Sequence, residues 1–311
     1  MSAVSTPAVP PLGKYLASSE KKTRDKAVKN LAVFLSSDSE NVLPDLEMAK
    51  LWKGIFYCFW MSDKPLVQQA LAGELAELIL AITDVPSSLN FLRGFWTMTV
   101  REWNGIDRLR MDKYYMLIRK FVNASFRFLV RTQWDSATVE EYNLILSGPN
   151  GPLCPNDIRV PTSLAFHLSE IYIDELEKAL TNSESPTPVP LSTLLSPFIV
   201  LAARTPTNTT YRHIQSSLFE PLHNLLKSSS GPPSRKKART LSPDYSKLLV
   251  NACTSSSNSN RAMDVDAVRK SILQKIFDVA SETDTRDANR RRMYTFYKNA
   301  VEDDEDEDSA G

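Results

Sequence analysis

The chain has 311 residues, of which 42% are apolar and 24% are charged. This composition is typical of a globular protein with one large domain or two smaller ones, and it excludes a short peptide or a wholly disordered chain. Lysine and arginine number 37, as do aspartate and glutamate, but seven of the acids stand together at 302–308. Residues 1–301 therefore carry a net charge of +7, which suits a polyanionic partner.

Several classes of protein are excluded by the absence of their sequence signals. Glycines number only nine, and neither G-x-G-x-x-G nor G-x-x-x-x-G-K-[ST] occurs, so no phosphate-binding loop is expected. Four prolines interrupt the uncharged stretch at 185–203, which is therefore not expected to cross a membrane. Residues 1–12 lack the basic and apolar regions of a secretory signal. The three widely spaced cysteines fit a reducing compartment.

The first half of the chain, from residue 20 to about 134, repeats its apolar side chains at helical spacing. The period-two alternation of a half-buried strand is nearly absent there. The pattern predicts five helices: one through Ala27–Leu35, one from Asp45 to Trp60, one over 65–82 with Asp63 as its N-cap, one over 88–103 and one over 107–131.

The second half returns to helical spacing over 161–180, 191–204 and 209–227, with Pro221 interrupting the last segment. Residues 228–262 are rich in serine and proline, which predicts a disordered insertion with one short docking segment at 245–250. Helices over 265–279 and 286–298 follow, and the acidic run forms a tail at 301–311. Residues 1–13 are expected to be disordered.

These elements predict an all-α fold of HEAT- or armadillo-like stacked helical pairs, an α-solenoid with a disordered insertion and an acidic tail. The predicted body spans 14–227, and C-terminal helices at 263–300 are expected to pack on it. Short connections favour antiparallel neighbouring helices. No repeat of fixed period is visible, so the expectation concerns the packing and not a repeat family.

Residues suited to catalysis or metal binding are sparse. The cysteines lie 96 and 99 residues apart, and none of the three histidines is near them in sequence, so a zinc site is not expected. Glu102, Asp107 and Asp112 form a loose carboxylate set, but arginines and a lysine lie among them, and ion pairs explain the set better than acid–base chemistry. We expect no catalytic residue, no metal and no cofactor, and hence no enzyme.

Basic side chains supply the candidate RNA contacts. One predicted set lies along the fifth helix, where a solvated face is an equal alternative to phosphate binding, and another lies near the C-terminus among aromatic residues. In the second set the aromatics are expected to pack and the arginines to contact a partner. The candidates are Lys113, Lys120, Arg127 and Arg131, together with Arg290, Arg291, Arg292 and Lys298.

Two further sets concern partners and transport. The second helix carries apolar side chains around most of its circumference, which indicates either a partner surface or, with more weight, a helix covered on two sides. The candidate partner residues are Trp52, Tyr57, Trp60, Asp63 and Lys64. A compact basic tract in the predicted insertion indicates a nuclear import signal, with nonspecific anion contact as the alternative. Its residues are Arg235, Lys236, Lys237 and Arg239.

Five blocks of the sequence resemble the nucleolar ribosomal RNA-processing protein one family of large-subunit assembly factors. The blocks are LASSEKKTRDKAVKNLAVFL at 16–35, LWKGIFYCFWMSDKPLVQQALA at 51–72, REWNGIDRLRMDKYYMLIRKF at 101–121, LAFHLSEIYIDEL at 164–176 and RRRMYTFYKNA at 290–300. Together they cover the chain from about 14 to 300, and similarity over many blocks is far more specific than any single motif.

The resemblance implies an all-helical, non-enzymatic factor of the nucleus and nucleolus, needed for maturation of the 27S-type precursor of the large-subunit RNAs. It also implies partners in early pre-60S particles: a β-propeller factor, a Brix-domain factor, a small RNA-binding assembly factor and large-subunit precursor rRNA. Two alternatives stay open from the residues alone. One is a generic HEAT-like adaptor in nuclear transport or chromatin, and the other is a metal-dependent RNA nuclease, for which few carboxylates are available.

Overall fold

The structure, a computed structural model, describes residues 12–36, 43–182, 188–230, 245–253 and 264–309. Its contacts divide the chain into two compact units, Met1–Ser125 and Phe126–Gly311. The described residues are almost entirely helical, and neighbouring helices pack as pairs within each unit, which confirms the predicted all-α class. The boundary at Ser125 falls inside 14–227, the predicted helical body.

The described part of the first unit consists of one short helix of 5 residues, a 3₁₀ turn and helices of 16 to 24 residues. Its elements are α1 (Leu12–Leu16), α2 (Lys21–Ser36), α3 (Asp45–Trp60), α4 (Pro65–Ala81), α5 (Val85–Glu102), a 3₁₀ turn (Trp103–Gly105) and α6 (Arg108–Arg131), which continues past Ser125. Helix α1 packs on α2 and α3, α3 packs on α5, and α4 packs on α2 and α5.

The core of the first unit is an aromatic cluster between α3, α5 and α6. The indole of Trp52 donates a hydrogen bond to the Phe91 carbonyl oxygen at 3.1 Å, and the two rings lie 4.6 Å apart. Phe95 and Phe121 stack with ring centroids 3.8 Å apart. At Gly94 a Cβ atom would lie 2.3 Å from the Trp52 ring, so glycine lets α5 approach α3 closely.

Helix starts in this unit follow the local sequence. Asp84 caps α5, because its carboxylate accepts a hydrogen bond from the Ser87 backbone N–H at 2.8 Å. The predicted N-cap of α4, Asp63, is wrong: the structure places the N-cap at Lys64, without a side-chain cap. Pro65 explains the difference, since a residue before proline is held extended and the helix begins at the proline.

The described part of the second unit has helices of 4 to 23 residues and one pair of two-residue strands. Its helices are α7 (Ser136–Ser147), α8 (Thr162–Thr181), α9 (Leu191–Leu194), α10 (Ser196–Arg204), α11 (Asn208–Ile214), α12 (Glu220–Ser230), α13 (Ser246–Asn251), α14 (Val265–Ser281) and α15 (Asp287–Ser309). Strands β1 (Val189–Pro190) and β2 (Ala252–Cys253) pair in parallel. Helix α7 was not predicted; Asp135 caps it by accepting from the Thr138 N–H at 3.0 Å.

A π-helical turn, Gln215–Phe219, joins α11 to α12. The proline at position 221 has no N–H to donate and its ring crowds the preceding turn, which is a common cause of such irregular turns. The interruption expected at Pro221 therefore widens the helix locally and does not end it. π-Helical turns are rare and occur often at functional sites.

The docking segment expected at 245–250 is present as α13, which is fixed to α8. The Glu177 carboxylate accepts hydrogen bonds from the backbone N–H groups of Lys247 and Leu248, at 3.1 and 2.7 Å, and the Tyr245 hydroxyl donates to Asp174 at 2.6 Å. The import tract at 235–239 lies outside the described residues. Helix α15 continues to Ser309, through residues expected to form a separate acidic tail.

Candidate partner and nucleic-acid surfaces

Lys113 lies at the point where the end of α3 meets the start of α6. Its ammonium group donates to the carbonyl oxygens of Phe59, Trp60 and Ser62 at 3.0, 2.7 and 2.8 Å, and the residue is only 6% exposed. Burial and the nearby Arg110 charge lower the pKa of Lys113 to about 8. Its prediction as a member of an exposed basic ridge is wrong, because the ammonium group satisfies the C-terminal carbonyl groups of α3.

The predicted partner residues divide into a core residue and an exposed group. Trp52 is 1% exposed and belongs to the aromatic core, so its assignment to a partner surface is wrong. Tyr57 is 42% exposed, Trp60 is half-buried, and Asp63 and Lys64 are exposed in the loop after α3. The structure therefore leaves four of the five predicted residues accessible to a partner.

The start of α6 adds two residues that the sequence reasoning missed. The guanidinium carbon of Arg110 lies 4.7 Å from the centre of the Trp60 ring, and Leu109 is 94% exposed. Tyr57 stands one helical turn before Trp60 on α3. We call Tyr57, Trp60, Leu109 and Arg110 the α3–α6 surface. An exposed leucine that precedes an arginine packed on an accessible tryptophan is the kind of surface that receives another protein.

The remaining members of the predicted ridge on α6 do reach solvent. Lys120, in the first unit, and Arg131, in the second, are exposed, whereas Arg127 is half-buried. The Arg131 guanidinium lies 5.3 Å from the Phe128 ring centre, which holds the arginine stem against the helix. Each of these three cations is at least partly accessible to a phosphate group.

The basic residues at the start of α15 have different roles. Arg290 donates to the backbone carbonyls of Ala280, Glu282 and Thr285, at 3.0, 3.0 and 3.1 Å. This arginine closes the turn between α14 and α15; its contact with RNA stays a prediction, made by a guanidinium group that these carbonyls already engage. Arg291 is exposed, and Lys298 is exposed and paired with Glu302 at 3.2 Å.

The aromatic residues among these cations pack inside the unit, as predicted. Tyr294 and Tyr297 lie 5.1 and 4.9 Å from Phe277 on α14, and Phe296 lies 6.3 Å from Phe219. The Arg292 guanidinium lies 5.5 Å from the ring centre of Tyr211. Burial raises the pKa of the Tyr211 hydroxyl above its usual range, so that ring is a neutral support for Arg292.

A groove with a volume of about 920 Å³ lies between α11, the π-helical turn, the start of α12 and α15. We call it the α11–α15 groove. The sequence analysis did not identify it, although Arg291 and Arg292 form part of one wall. Further residues of its lining are Arg212, Gln215, Glu220, Asn224, Phe296 and Asn299.

The groove carries more positive than negative charge. Arg212 on α11 and Arg291 on α15 are exposed in the lining, and Arg292 donates to Asn289 at 3.0 Å from a half-buried position. Glu220 supplies negative charge, and its carboxylate accepts a hydrogen bond from Gln215 at 2.7 Å. The His213 ring stacks on Phe166 at 4.2 Å and contacts Glu170 at 3.0 Å, which fixes the ring at the groove edge.

Two of the three candidate acid–base residues, Glu102 and Asp107, form local ion pairs. Glu102 pairs with Arg101 at 2.7 Å, and hydrogen bonding from Arg110 lowers the pKa of Asp107. Burial raises the pKa of the Cys58 thiol to about 11, which disfavours the reactive thiolate. Within the described parts of the chain, no group of three or more His, Cys, Asp and Glu side chains could hold a metal ion. No helix among these residues is long and apolar enough to span a membrane.

Comparison with known families decides the chain's relationships. A family model described as nucleolar protein Nop52 matches residues 7–310. The chain belongs to the Nop52 family. This confirms the resemblance carried by the five sequence blocks, and the family's description agrees with the predicted location in the nucleus and nucleolus.

Curated relatives of this Nop52 family member are named ribosomal RNA processing protein 1 homologs. Homolog B of Homo sapiens is 38% identical over 217 residues, which cover 69% of this chain and 28% of the relative. Homolog A of Mus musculus is 34% identical over 67% of this chain and 42% of the relative. The homolog of Dictyostelium discoideum is 25% identical over 91% of this chain and 56% of the relative. The chain thus spans from about a quarter to about half of their length.

Proposed function

We propose that this chain is a non-enzymatic scaffold in the biogenesis of the large (60S) ribosomal subunit. It acts within nucleolar pre-60S particles, where it binds assembly factors and precursor rRNA and is required for processing of the 27S-type precursor. The observation that carries the proposal is the family match over residues 7–310, together with relatives named for ribosomal RNA processing. The basic character of residues 1–301 supports a polyanionic partner.

A scaffold role is supported over a catalytic one by the state of the carboxylates near Glu102. A metal-dependent nuclease holds its metal ions with clustered carboxylates that have oxygens available for coordination. Here Glu102 and Asp107 are engaged by arginines one and three residues away. Incubation of the purified chain with spacer RNA and magnesium should leave the RNA intact, and cleavage would contradict the proposal.

The α3–α6 surface is the proposed site for an assembly factor. It combines the exposed Leu109 side chain, the Tyr57 and Trp60 rings and the Arg110 guanidinium, and aromatic residues and arginine are enriched where proteins bind one another. The adjacent Asp63 and Lys64 would form a polar rim. The resemblance implies a β-propeller factor, a Brix-domain factor and a small RNA-binding factor as the class of partner.

The decisive experiment is purification of the tagged chain from nuclear extract at moderate salt, with and without ribonuclease, followed by identification of RNA and proteins. Recovery of large-subunit precursor RNA with assembly factors would support the proposal. Factors retained after ribonuclease treatment would indicate docking through protein. Absence of ribosomal precursors would favour the generic adaptor instead.

A matched pair of variants tests the α3–α6 surface in the same purification. Tyr57→Ser with Leu109→Ser removes two exposed apolar side chains from the surface, whereas Val33→Ser with Leu46→Ser removes two exposed apolar side chains elsewhere in the first unit. We expect the first variant to lose the ribonuclease-resistant factors and the control to keep them. Equal recovery with both variants would contradict this site.

A further inference from the structure

The α11–α15 groove brings exposed arginines and amide side chains together within the second unit. We propose that this groove binds single-stranded RNA, with Arg212 and Arg291 contacting phosphates and the asparagine amides contacting a base. The inference rests on the proposed function, which supplies precursor rRNA as the ligand. It assigns that contact to one surface of the second unit.

The placement of the arginines suits a phosphate chain that runs through the groove. Arg212 belongs to α11 and Arg291 to α15, so two different helices each bring an exposed guanidinium group to the groove. A guanidinium group binds phosphate through two parallel hydrogen bonds, and a single strand in the groove can offer a phosphate to each arginine. Glu220 already accepts a hydrogen bond from Gln215, which moderates its repulsion of phosphate.

The amide side chains in the lining suit the edges of RNA bases. Asn208, Asn224 and Asn299 line the groove and are exposed, and each offers both a donor and an acceptor. Base edges also present donors and acceptors together, so an asparagine amide can pair with a base through two hydrogen bonds.

The volume of the groove and one aromatic ring in its wall suit the binding of an unpaired nucleotide. A volume of about 920 Å³ is far larger than one phosphate group needs and is at the upper end of the range for bound small molecules. Phe296, half-buried in the wall, offers a ring for stacking. Bases are available for stacking in single strands and loops but not inside an RNA helix.

The test compares the full chain with two charge-matched variants. Arg212→Gln with Arg291→Gln removes two exposed charges from the groove, and Lys26→Gln with Lys29→Gln removes two exposed charges from α2 in the first unit. The probe is a fluorescein-labelled single-stranded RNA of about 12 nucleotides, within the usual site size of one such groove. Its fluorescence anisotropy is measured across a salt series. All three proteins retain the basic tract at 235–239, so its contribution is common to them.

The expected effect follows from counterion release. Loss of two phosphate contacts should lower the slope of log affinity against log salt by about 1.4 and weaken binding about 25-fold in 0.1 M salt. The α2 variant should bind like the unmodified chain. A groove variant that keeps its melting temperature and binds RNA like the α2 variant would overturn the inference.

Two further experiments, a peptide competition and a photocrosslinking measurement, test the RNA site in the groove. Displacement of the RNA from the unmodified chain by an equal concentration of an acidic peptide would overturn it in favour of a peptide site. Photocrosslinking of 4-thiouridine RNA to the unmodified chain requires no variant at all. Crosslinks within 208–224 and 291–300 would support the groove, and crosslinks confined to other residues would overturn it.

Sedimentation separates this inference from the proposed function. If the unmodified chain sediments with large-subunit precursors while the groove variant binds RNA normally, the groove assignment alone is overturned. If the unmodified chain is absent from these particles, the proposed function fails, and with it the assignment of precursor rRNA as the ligand.

Discussion

The lysine buried under the end of α3 gives a quantitative test of the structure. The Lys113 ammonium donates three hydrogen bonds to carbonyl groups at the end of α3. Methionine has a similar length but no donor, so Lys113→Met leaves these carbonyl groups without their bonds from the lysine. A buried acceptor left without a partner costs about 1–3 kcal/mol, and Lys113→Met should destabilise the chain by about that amount.

The loss of stability in Lys113→Met should come mainly from one carbonyl group, that of Trp60. The Phe59 carbonyl also accepts from the Ser62 hydroxyl at 2.6 Å and the Ser62 carbonyl also accepts from Gln68 at 2.9 Å, whereas Lys113 gives Trp60 its 2.7 Å bond. Urea denaturation followed by circular dichroism measures the effect, with Lys120→Met as an exposed control on the same helix that should change stability by less than about 0.5 kcal/mol. A Lys113→Met protein as stable as the control would refute the argument.

Three other outcomes follow from the same structure. Burial lowers the pKa of Lys113 from 10.5 to about 8, so the folded state binds fewer protons than the unfolded state between pH 8 and 10.5. Stability measured by urea denaturation should therefore rise with pH across this window. The rise should be less steep in Lys113→Met, and equal slopes for the two proteins would count against a buried Lys113 ammonium group. Gly94→Ala should lower the stability of the chain by about 1–3 kcal/mol, because the new Cβ atom meets the Trp52 ring. Gly73 has open space around it, and Gly73→Ala should raise stability by about 0.5–1 kcal/mol. Equal melting temperatures of the two variants would argue against the close packing of α3 and α5. Glu177→Gln should weaken the hydrogen bonds that fix the first turn of α13 to α8 and so speed proteolytic cleavage near Tyr245. Glu140→Gln, at an exposed site on α7, is the control. Equal cleavage of the two variants would mean that the Glu177 carboxylate does not fix α13.

Helical periodicity predicted most of the fold because each helix buries one stripe of its own sequence. It located α3, α6 and α8 closely, where long apolar stripes are bounded by proline or acidic residues. It missed the shorter α7, although Val139, Tyr142 and Leu146 have the required spacing and Asp135 is a cap. It also placed the cap of α4 one residue early, because the effect of Pro65 on Lys64 was overlooked.

The candidate sites were harder to predict, since they depend on which helices meet. One signal for Lys113 was present: it stands four residues before Leu117 and eight before Phe121, on the buried stripe of α6. Its acceptors are more than 50 residues away, so no local pattern reveals them. Arg212 and Arg291 are likewise far apart in sequence, and only the packing of α11 and α15 into one unit forms the groove.

The arginine that closes the turn between α14 and α15 has a consequence for the thermodynamics of binding at the neighbouring wall. Arg290 ties three carbonyls of that turn to the first turn of α15, so the backbone that carries Arg291 and Arg292 is already ordered before any ligand arrives. Ordering a backbone residue costs about 1–2 kcal/mol of entropy, and a ligand that meets an ordered wall does not bear that cost. On the protein side, the remaining entropy loss then falls mainly on the arginine side chains, and dissociation rates should respond to changes at Arg290 even though it lies outside the groove.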